Sequence, residues 1–105
     1  MAGTFSKAIE PAAVQRRLEQ EPLFLVDVRE PDEWEEGHIE GATHIPLGEL
    51  AQRLGELPRD RELIMVCRSG SRSGLACEYM ESLGYDVVNM TGGMTAWPGK
   101  IKRGR

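Results

Sequence analysis

The stretch Ile64-Met65-Val66-Cys67-Arg68-Ser69-Gly70-Ser71-Arg72-Ser73, continued by Gly74-Leu75-Ala76-Cys77-Glu78-Tyr79-Met80, is the one from which the rest of the chain can be read. An apolar run of strand type ends on a cysteine, and a polar loop with a central glycine turns directly into a helical pattern. Leu75, Tyr79 and Leu83 share one stripe of that helix, with Ala76 and Met80 beside it, which is the spacing of an apolar face. Gly84 is placed to end the helix in a left-handed cap.

The same stretch has the make-up of an anion-reactive thiol site. A loop that curls into a helix start turns several backbone N–H groups into one small bowl, and the helix dipole adds partial positive charge there. Arg68 and Arg72 bring full charges, and Ser69, Ser71 and Ser73 bring hydroxyl donors. Each of these favours the charged form of Cys67, which is expected to be partly thiolate near neutral pH. A lone cysteine at a strand end would read as core filler beside a solvated loop. One Cys, one Gly, two Arg and three Ser between strand and helix read instead as donors converging on a nucleophile.

Working outward, Leu23-Phe24-Leu25-Val26-Asp27-Val28 is a near-continuous apolar run, the pattern of a strand covered on both faces of a parallel sheet. Asp27 and Arg29 fall at its C-terminal end, where open α/β sheets place their sites. A structural role is expected for them, Asp27 taking backbone donors and Arg29 forming an ion pair. The acidic segment 31–36 predicts a short helical turn broken at Gly37, with Trp34 in the core and a wall of the cleft beside the thiol loop as the alternative. His38 and His44 lack ligand spacing with the two cysteines, so no metal site is expected; His38 is expected to hydrogen-bond within a turn. Ala42-Thr43-His44-Ile45 predicts a short strand ended by Pro46, and Leu47, Leu50, Leu54 and Leu57 mark an amphipathic helix running to Pro58.

Asp86-Val87-Val88-Asn89 predicts the last strand, followed by the turn Thr91-Gly92-Gly93 and a short helix with Met94 and a core Trp97. Toward the N-terminus, a short strand is expected near Thr4-Phe5. A helix is expected from Pro11, a residue suited to a first helical turn, with Val14 and Leu18 on one face. Cys77 reads as a small apolar core residue, too far along the helix axis for an easy disulfide with Cys67. Residues 99–105 form a basic tail expected to fray, docking to an acidic partner being the alternative.

With 105 residues, the chain is expected to be one small domain with a core over about residues 5–98. Hydrophobic residues at 40% and charged residues at 29% fit an ordinary soluble protein. A net charge of −4 argues against general nucleic-acid binding, which wants a basic surface. No apolar run approaches the ~20 residues of a membrane span, and the first seven residues lack the apolar core of a signal peptide. Two cysteines fit a reducing compartment better than a disulfide scaffold. No membrane contact and a cytoplasmic location are therefore expected. Strands alternating with helices predict a parallel, doubly wound α/β sheet.

The central loop, together with Leu25-Val26-Asp27-Val28-Arg29, Glu33-Trp34-x-x-Gly37-His38-Ile39-x-Gly41-Ala42-x-His44-Ile45-Pro46 and Gly92-Gly93-Met94-x-Ala96-Trp97, resembles the rhodanese-type sulfurtransferases. The motifs occur in that family's order from about Pro22 to Pro98. The resemblance implies a rhodanese-like, five-stranded parallel sheet with helices on both faces and the Thr91-Gly92-Gly93 turn beside the active-site loop. It also implies a catalytic Cys67 that carries sulfur as a persulfide, with Arg68, Ser69, Gly70, Ser71, Arg72 and Ser73 as the anion-binding loop. The implied donor is a small sulfur anion such as thiosulfate, or mercaptopyruvate. The implied acceptor is cyanide, a thiol or an acceptor protein. No cofactor is implied, and either a monomer or a dimer fits. Two other readings stand beside this one. One is a non-catalytic rhodanese-type binding or regulatory module. The other is a cysteine phosphatase or arsenate reductase, whose loops have the form Cys-x-x-x-x-x-Arg; here only Arg68, Ser69, Gly70 and Ser71 separate Cys67 from Arg72, one fewer.

Overall fold

A computed structural model describes residues 7–104 of the chain, and its centre is the predicted strand ending at Cys67. That strand, β4 (Leu63–Val66), is buried at all four positions. It lies in a sheet with β1 (Ala8–Ile9), β2 (Phe24–Asp27), β3 (Thr43–His44) and β5 (Val87–Met90), in the order β1-β5-β4-β2-β3. Every pairing is parallel. Helices α1 (Pro11–Leu18), α2 (Pro31–Glu36) and α3 (Ser71–Ser82) connect the strands, with 3₁₀ segments at Leu47–Glu49, Ala51–Glu56 and Gly93–Ala96. The strand expected near Thr4-Phe5 lies outside the described residues.

Alternation along each strand sorts the core into two layers. Leu63, Met65 and Cys67 join Val26, Val28 and Val87 on one face, under Ala76, Cys77 and Met80 of α3. Ile64 and Val66 join Leu25 and Met90 on the other, under Val14 of α1. Both faces are covered, which is why β2 and β4 read as continuous apolar runs rather than alternating ones.

The structure shifts the buried face of α3 off the expected stripe and onto the side of Ala76 and Met80, which were expected beside it, and of Cys77, expected in the core. Leu75, Tyr79 and Leu83 are 56%, 42% and 38% exposed, whereas Ser73, Ala76, Cys77 and Met80 are buried. The buried set has the same helical spacing, and apart from Met80 its side chains are small, which lets the helix settle closely on the sheet. A Cβ on Gly74 would stand only 3.4 Å from the Asn89 side chain. Gly84 ends the helix as expected, at φ +92°, and Tyr85 N–H closes back on the Met80 carbonyl at 3.1 Å.

The predicted helix over 47–57 forms instead as two 3₁₀ pieces, closed by bonds such as Arg53 N–H to Leu50 O (3.1 Å) and Leu57 N–H to Leu54 O (3.0 Å). Gly48 and Gly55 interrupt it and weaken a continuous α-helix, yet Leu50 and Leu57 are buried as their spacing requires. The C-terminal residues do not fray through Gly104. His38 and Lys102 exchange backbone bonds of 2.9 and 2.8 Å, and Gly104 N–H reaches Glu35 O at 2.8 Å. Trp34 is half-buried rather than core and stacks on His38 at 3.6 Å and on His44 at 4.7 Å between ring centroids. His38 bonds within its turn through Nδ1 to the Trp34 carbonyl at 2.7 Å. Trp97 is also half-buried, packed against the layer under α1.

Candidate functional site

Cys67 is the first residue past the C-terminal end of β4 and is 1% exposed. Beyond it the chain turns through Gly70, at φ +103°, into α3. That left-handed conformation, open to glycine at little strain, brings Gly70 N–H back to Cys67 Sγ at 3.0 Å. The buried Ser73 hydroxyl lies 3.3 Å from the same sulfur. Burial pushes the Cys67 thiol up, but the Ser73 hydroxyl and the backbone N–H groups of Ser73, Gly70 and Ser69 outweigh it, and the net direction is down from an ordinary thiol. The bowl of donors inferred from sequence is therefore built mainly from backbone groups and one serine. The Ser69 and Ser71 side chains are exposed.

The turn after β5 braces this loop from behind. Met94 N–H donates to Cys67 O at 2.8 Å, and Thr95 donates to Arg68 O through its N–H (3.0 Å) and its hydroxyl (2.9 Å). The approach is close because Gly93, at φ +56°, has no side chain; a Cβ there would lie 2.4 Å from Arg68 O. A cleft of about 240 Å³ opens beside the loop, with Arg68, Thr95, Met94 and Arg29 among its walls.

The two arginines are not free charges. Glu33, in the first turn of α2, accepts Arg72 Nη1 at 2.7 Å and Nη2 at 2.9 Å, and Arg68 Nε at 3.0 Å. Its Oε1 also takes the Glu30 N–H at 2.9 Å, one half of a capping box that fixes the carboxylate. Arg72 above all, helped by the Glu30 N–H and Arg68, holds the Glu33 carboxyl well below the usual range despite its burial. Two guanidinium groups and one carboxylate leave one net positive charge beside the bowl. Sequence reasoning missed Glu33 as a site residue because 35 and 39 positions separate it from its partners.

Asn89 was missed as well. On β5 its Nδ2 donates to Gly70 O at 3.1 Å and its Oδ1 accepts from the Ser73 hydroxyl. The available signal was a polar residue inside the apolar run Val87-Val88-Asn89-Met90.

Asp27 and Arg29 take the structural role expected of them. Both are buried and doubly bonded, with Arg29 Nη2 2.8 Å from Asp27 Oδ2. The same Nη2 donates to Gly37 O at 2.8 Å, tying the end of β2 to the end of α2. Cys77 is fully buried, its thiol pushed up to about 12 chiefly by burial, and both cysteines are free thiols. Among the described residues no group of three or more His, Cys, Asp or Glu could hold a metal ion, and no helix is long and apolar enough to cross a membrane.

Comparison with known proteins agrees with this architecture. A family model described as a rhodanese-like domain matches residues 10–100. A sulfurtransferase of Allochromatium vinosum is 42% identical over 84 residues, covering 79% of this chain and 78% of that protein. The thiosulfate sulfurtransferase GlpE of Pseudoalteromonas translucida is 34% identical over 92 residues, covering 87% of this chain and 88% of its own. Among solved structures, a rhodanese-like domain protein from Staphylococcus aureus superposes with a TM-score of 0.89 at 33% identity, covering 95% of this chain and 100% of that one. The chain belongs to the rhodanese-like family of sulfurtransferases.

Proposed function

We propose that this protein transfers sulfane sulfur from thiosulfate, or a related anionic donor, through a persulfide on Cys67. The observation that carries the reading is the position of Cys67 Sγ, which accepts Gly70 N–H at 3.0 Å inside a loop that reaches Arg72 after only four intervening residues. A single sulfur fits such a small bowl better than a tetrahedral phosphate does. The name of the Pseudoalteromonas relative supports thiosulfate as donor.

In the first half-reaction the Cys67 thiolate attacks the outer sulfur of thiosulfate. A Cys67–sulfur bond forms, the sulfur–sulfur bond of the donor breaks, and sulfite leaves with the electron pair. In the second, an acceptor such as cyanide or a thiolate attacks the outer sulfur of the persulfide, and the electron pair of the breaking bond returns to Cys67. No general base is needed when the thiolate is already formed. Donor, intermediate and leaving group are all anionic, so the N–H groups around Sγ stabilise charge throughout. The residual positive charge of Arg68 and Arg72 with Glu33 attracts the donor although the whole chain carries −4, because the local field governs approach.

Intact-protein mass spectrometry after incubation with thiosulfate tests this. The expected result is a gain of one sulfur atom, absent in Cys67→Ser and reversed by cyanide. No gain with thiosulfate, mercaptopyruvate or a sulfur-loaded cysteine desulfurase would overturn it.

A further inference from the structure

We propose that Asn89 is a positioning residue that competes with Cys67 for the single hydrogen of the Ser73 hydroxyl and so weakens that donor toward the thiolate. The inference rests on the reading of Cys67 as the nucleophile and adds a residue that acts on it from β5.

The orientation of Asn89 follows from its partners. A carbonyl can only accept, so the atom 3.1 Å from Gly70 O must be the amide nitrogen. Asn89 Oδ1 therefore faces Ser73 Oγ, and the serine must donate to it. Yet Ser73 Oγ is also 3.3 Å from Cys67 Sγ. One hydroxyl hydrogen serves two acceptors. In the thiol form all groups are satisfied in a chain, with Cys67 S–H donating to Ser73 Oγ, Ser73 O–H to Asn89 Oδ1, and Asn89 Nδ2–H to Gly70 O. When Cys67 loses its proton to water, the sulfur becomes an acceptor only. Either Ser73 turns to the thiolate and leaves the buried Asn89 Oδ1 without its partner, or it stays on Asn89 and the thiolate keeps only its backbone donors. Both outcomes favour the thiol relative to a site without Asn89.

The charged and titratable groups around Cys67 are Arg72, paired with Glu33 from α2, and Cys77 on α3, with the adjacent Arg68 held by the same Glu33. β5 contributes the uncharged Asn89, so its replacement changes the two hydrogen bonds to Ser73 and Gly70 and no charge.

The test is the pH dependence of iodoacetamide alkylation at Cys67, located by mass spectrometry, in the wild type, Asn89→Ala, Ser73→Ala and the double variant. Asn89→Ala is expected to move the midpoint down, giving roughly three- to tenfold faster alkylation on the acid side of the titration. Ser73→Ala is expected to move it up, and in the Ser73→Ala background Asn89→Ala is expected to move nothing. An unchanged or raised midpoint in Asn89→Ala overturns the proposal. So does an equal shift in both backgrounds, which would assign the effect to the Gly70 carbonyl. Asn89→Leu, of similar volume, should reproduce Asn89→Ala, and thermal melting checks that each variant is folded. A readout that needs no variant is the Asn89 side-chain amide resonance, which is expected to titrate with Cys67; a resonance constant through that midpoint overturns the idea. Alkylation uses no sulfur donor, so absence of a persulfide and absence of this competition remain separate results.

Discussion

Glu33 and Arg72 meet in a two-pronged ion pair across 39 residues of sequence, Nη1 to Oε1 at 2.7 Å and Nη2 to Oε2 at 2.9 Å. Arg68 joins the same carboxylate through Nε at 3.0 Å. The Cys67 loop is thereby fastened to α2 by its charged side chains, while its backbone donors stay turned to Cys67. Division of labour follows from the chemistry. A guanidinium fork matches a carboxylate in two places, and small N–H groups can approach a single sulfur more closely.

Glu33→Gln keeps the shape of the side chain and removes its charge. Loss of the charge-assisted bonds should lower stability by about 1–2 kcal/mol, a modest figure because Arg68 is largely exposed and Arg72 partly so. The released arginine charge should lower KM for thiosulfate a few-fold at low salt, with the gain vanishing as salt rises, while kcat falls as the loop loosens. The pH dependence has a fixed sign. Glu33 is depressed in the fold, so its contribution is full above the unfolded carboxylate value of about 4.3 and is lost as pH falls through the lower folded value. Thermal melts should show the gap between wild type and Glu33→Gln at neutral pH and its closure only in strong acid. A raised KM with unchanged kcat would show that Glu33 does not hold the loop in place.

Gly93→Ala tests the brace behind the loop. Its φ of +56° strains any other residue, and its Cβ, fixed in position by the Gly93 backbone, would press on the backbone oxygen of Arg68 at 2.4 Å. A loss of about 2 kcal/mol or more is expected, together with a fall in transfer activity larger than the stability loss explains. Gly41→Ala is the control: it too has a positive φ, but nothing lies within 4 Å of its Cβ position, so it should weaken the fold and leave kcat of the folded protein alone.

The buried pair at the end of β2 should matter for folding and not for chemistry. Arg29→Met leaves Asp27 as an uncompensated charge at 1% exposure, and breaking such a pair typically costs about 3–5 kcal/mol. Denaturant unfolding should show that loss, and a variant as stable as wild type would show that the pair has a solvated alternative. Stabilised by osmolyte, the variant should still form the Cys67 persulfide.

What the sequence made legible was local. The strand that ends in Cys67, the turn at Gly70 and the cap at Gly84 each follow from a few consecutive residues whose conformations are constrained one by one. The pairing of Glu33 with Arg68 and Arg72 was hidden because charge type gives no distance, and a Glu in a short acidic helix reads as solvated. The face of α3 was misread for a different reason. Two sets on that helix have helical spacing, and Leu75, Tyr79 and Leu83 drew the stripe toward themselves, although Ala76, Met80 and Cys77 were already expected to be apolar or core positions. Close packing of helix on sheet favours the side where small Ser73, Ala76 and Cys77 let α3 approach while Met80 fills the core. Asn89 shows the converse limit. A buried polar residue signals that a partner exists, but the sequence does not name it.

Cys77 provides an internal standard for Cys67, since both are buried free cysteines of one chain. Its thiol is pushed up to about 12 chiefly by burial, so it should stay unreactive under conditions that alkylate Cys67. Native alkylation at mildly basic pH followed by mass analysis should give one label, on Cys67, and unfolding should admit the second. Cys77→Ala should retain full transfer activity and lose roughly 1 kcal/mol from the small cavity. Loss of activity beyond that of a folded control would assign Cys77 a part in the reaction.

The pH profile of transfer weighs burial against the bowl directly. Burial raises the Cys67 thiol, whereas the Ser73 hydroxyl and the N–H groups of Ser73, Gly70 and Ser69 lower it more. With thiosulfate as donor, kcat/KM should rise with pH as thiolate forms, through a midpoint below the ordinary thiol value of about 8.5, and level off above it. Stability should carry the same signature. A depressed thiol contributes stability that is full above the unfolded value and is lost as pH falls through the folded one, so the wild type should gain on Cys67→Ala across that window and keep the gain above it. A kinetic midpoint at or above 8.5 would mean that the desolvation of a sulfur with 1% exposure outweighs every donor in the loop. The reaction would then need a base to take the proton, and none is present among the loop residues.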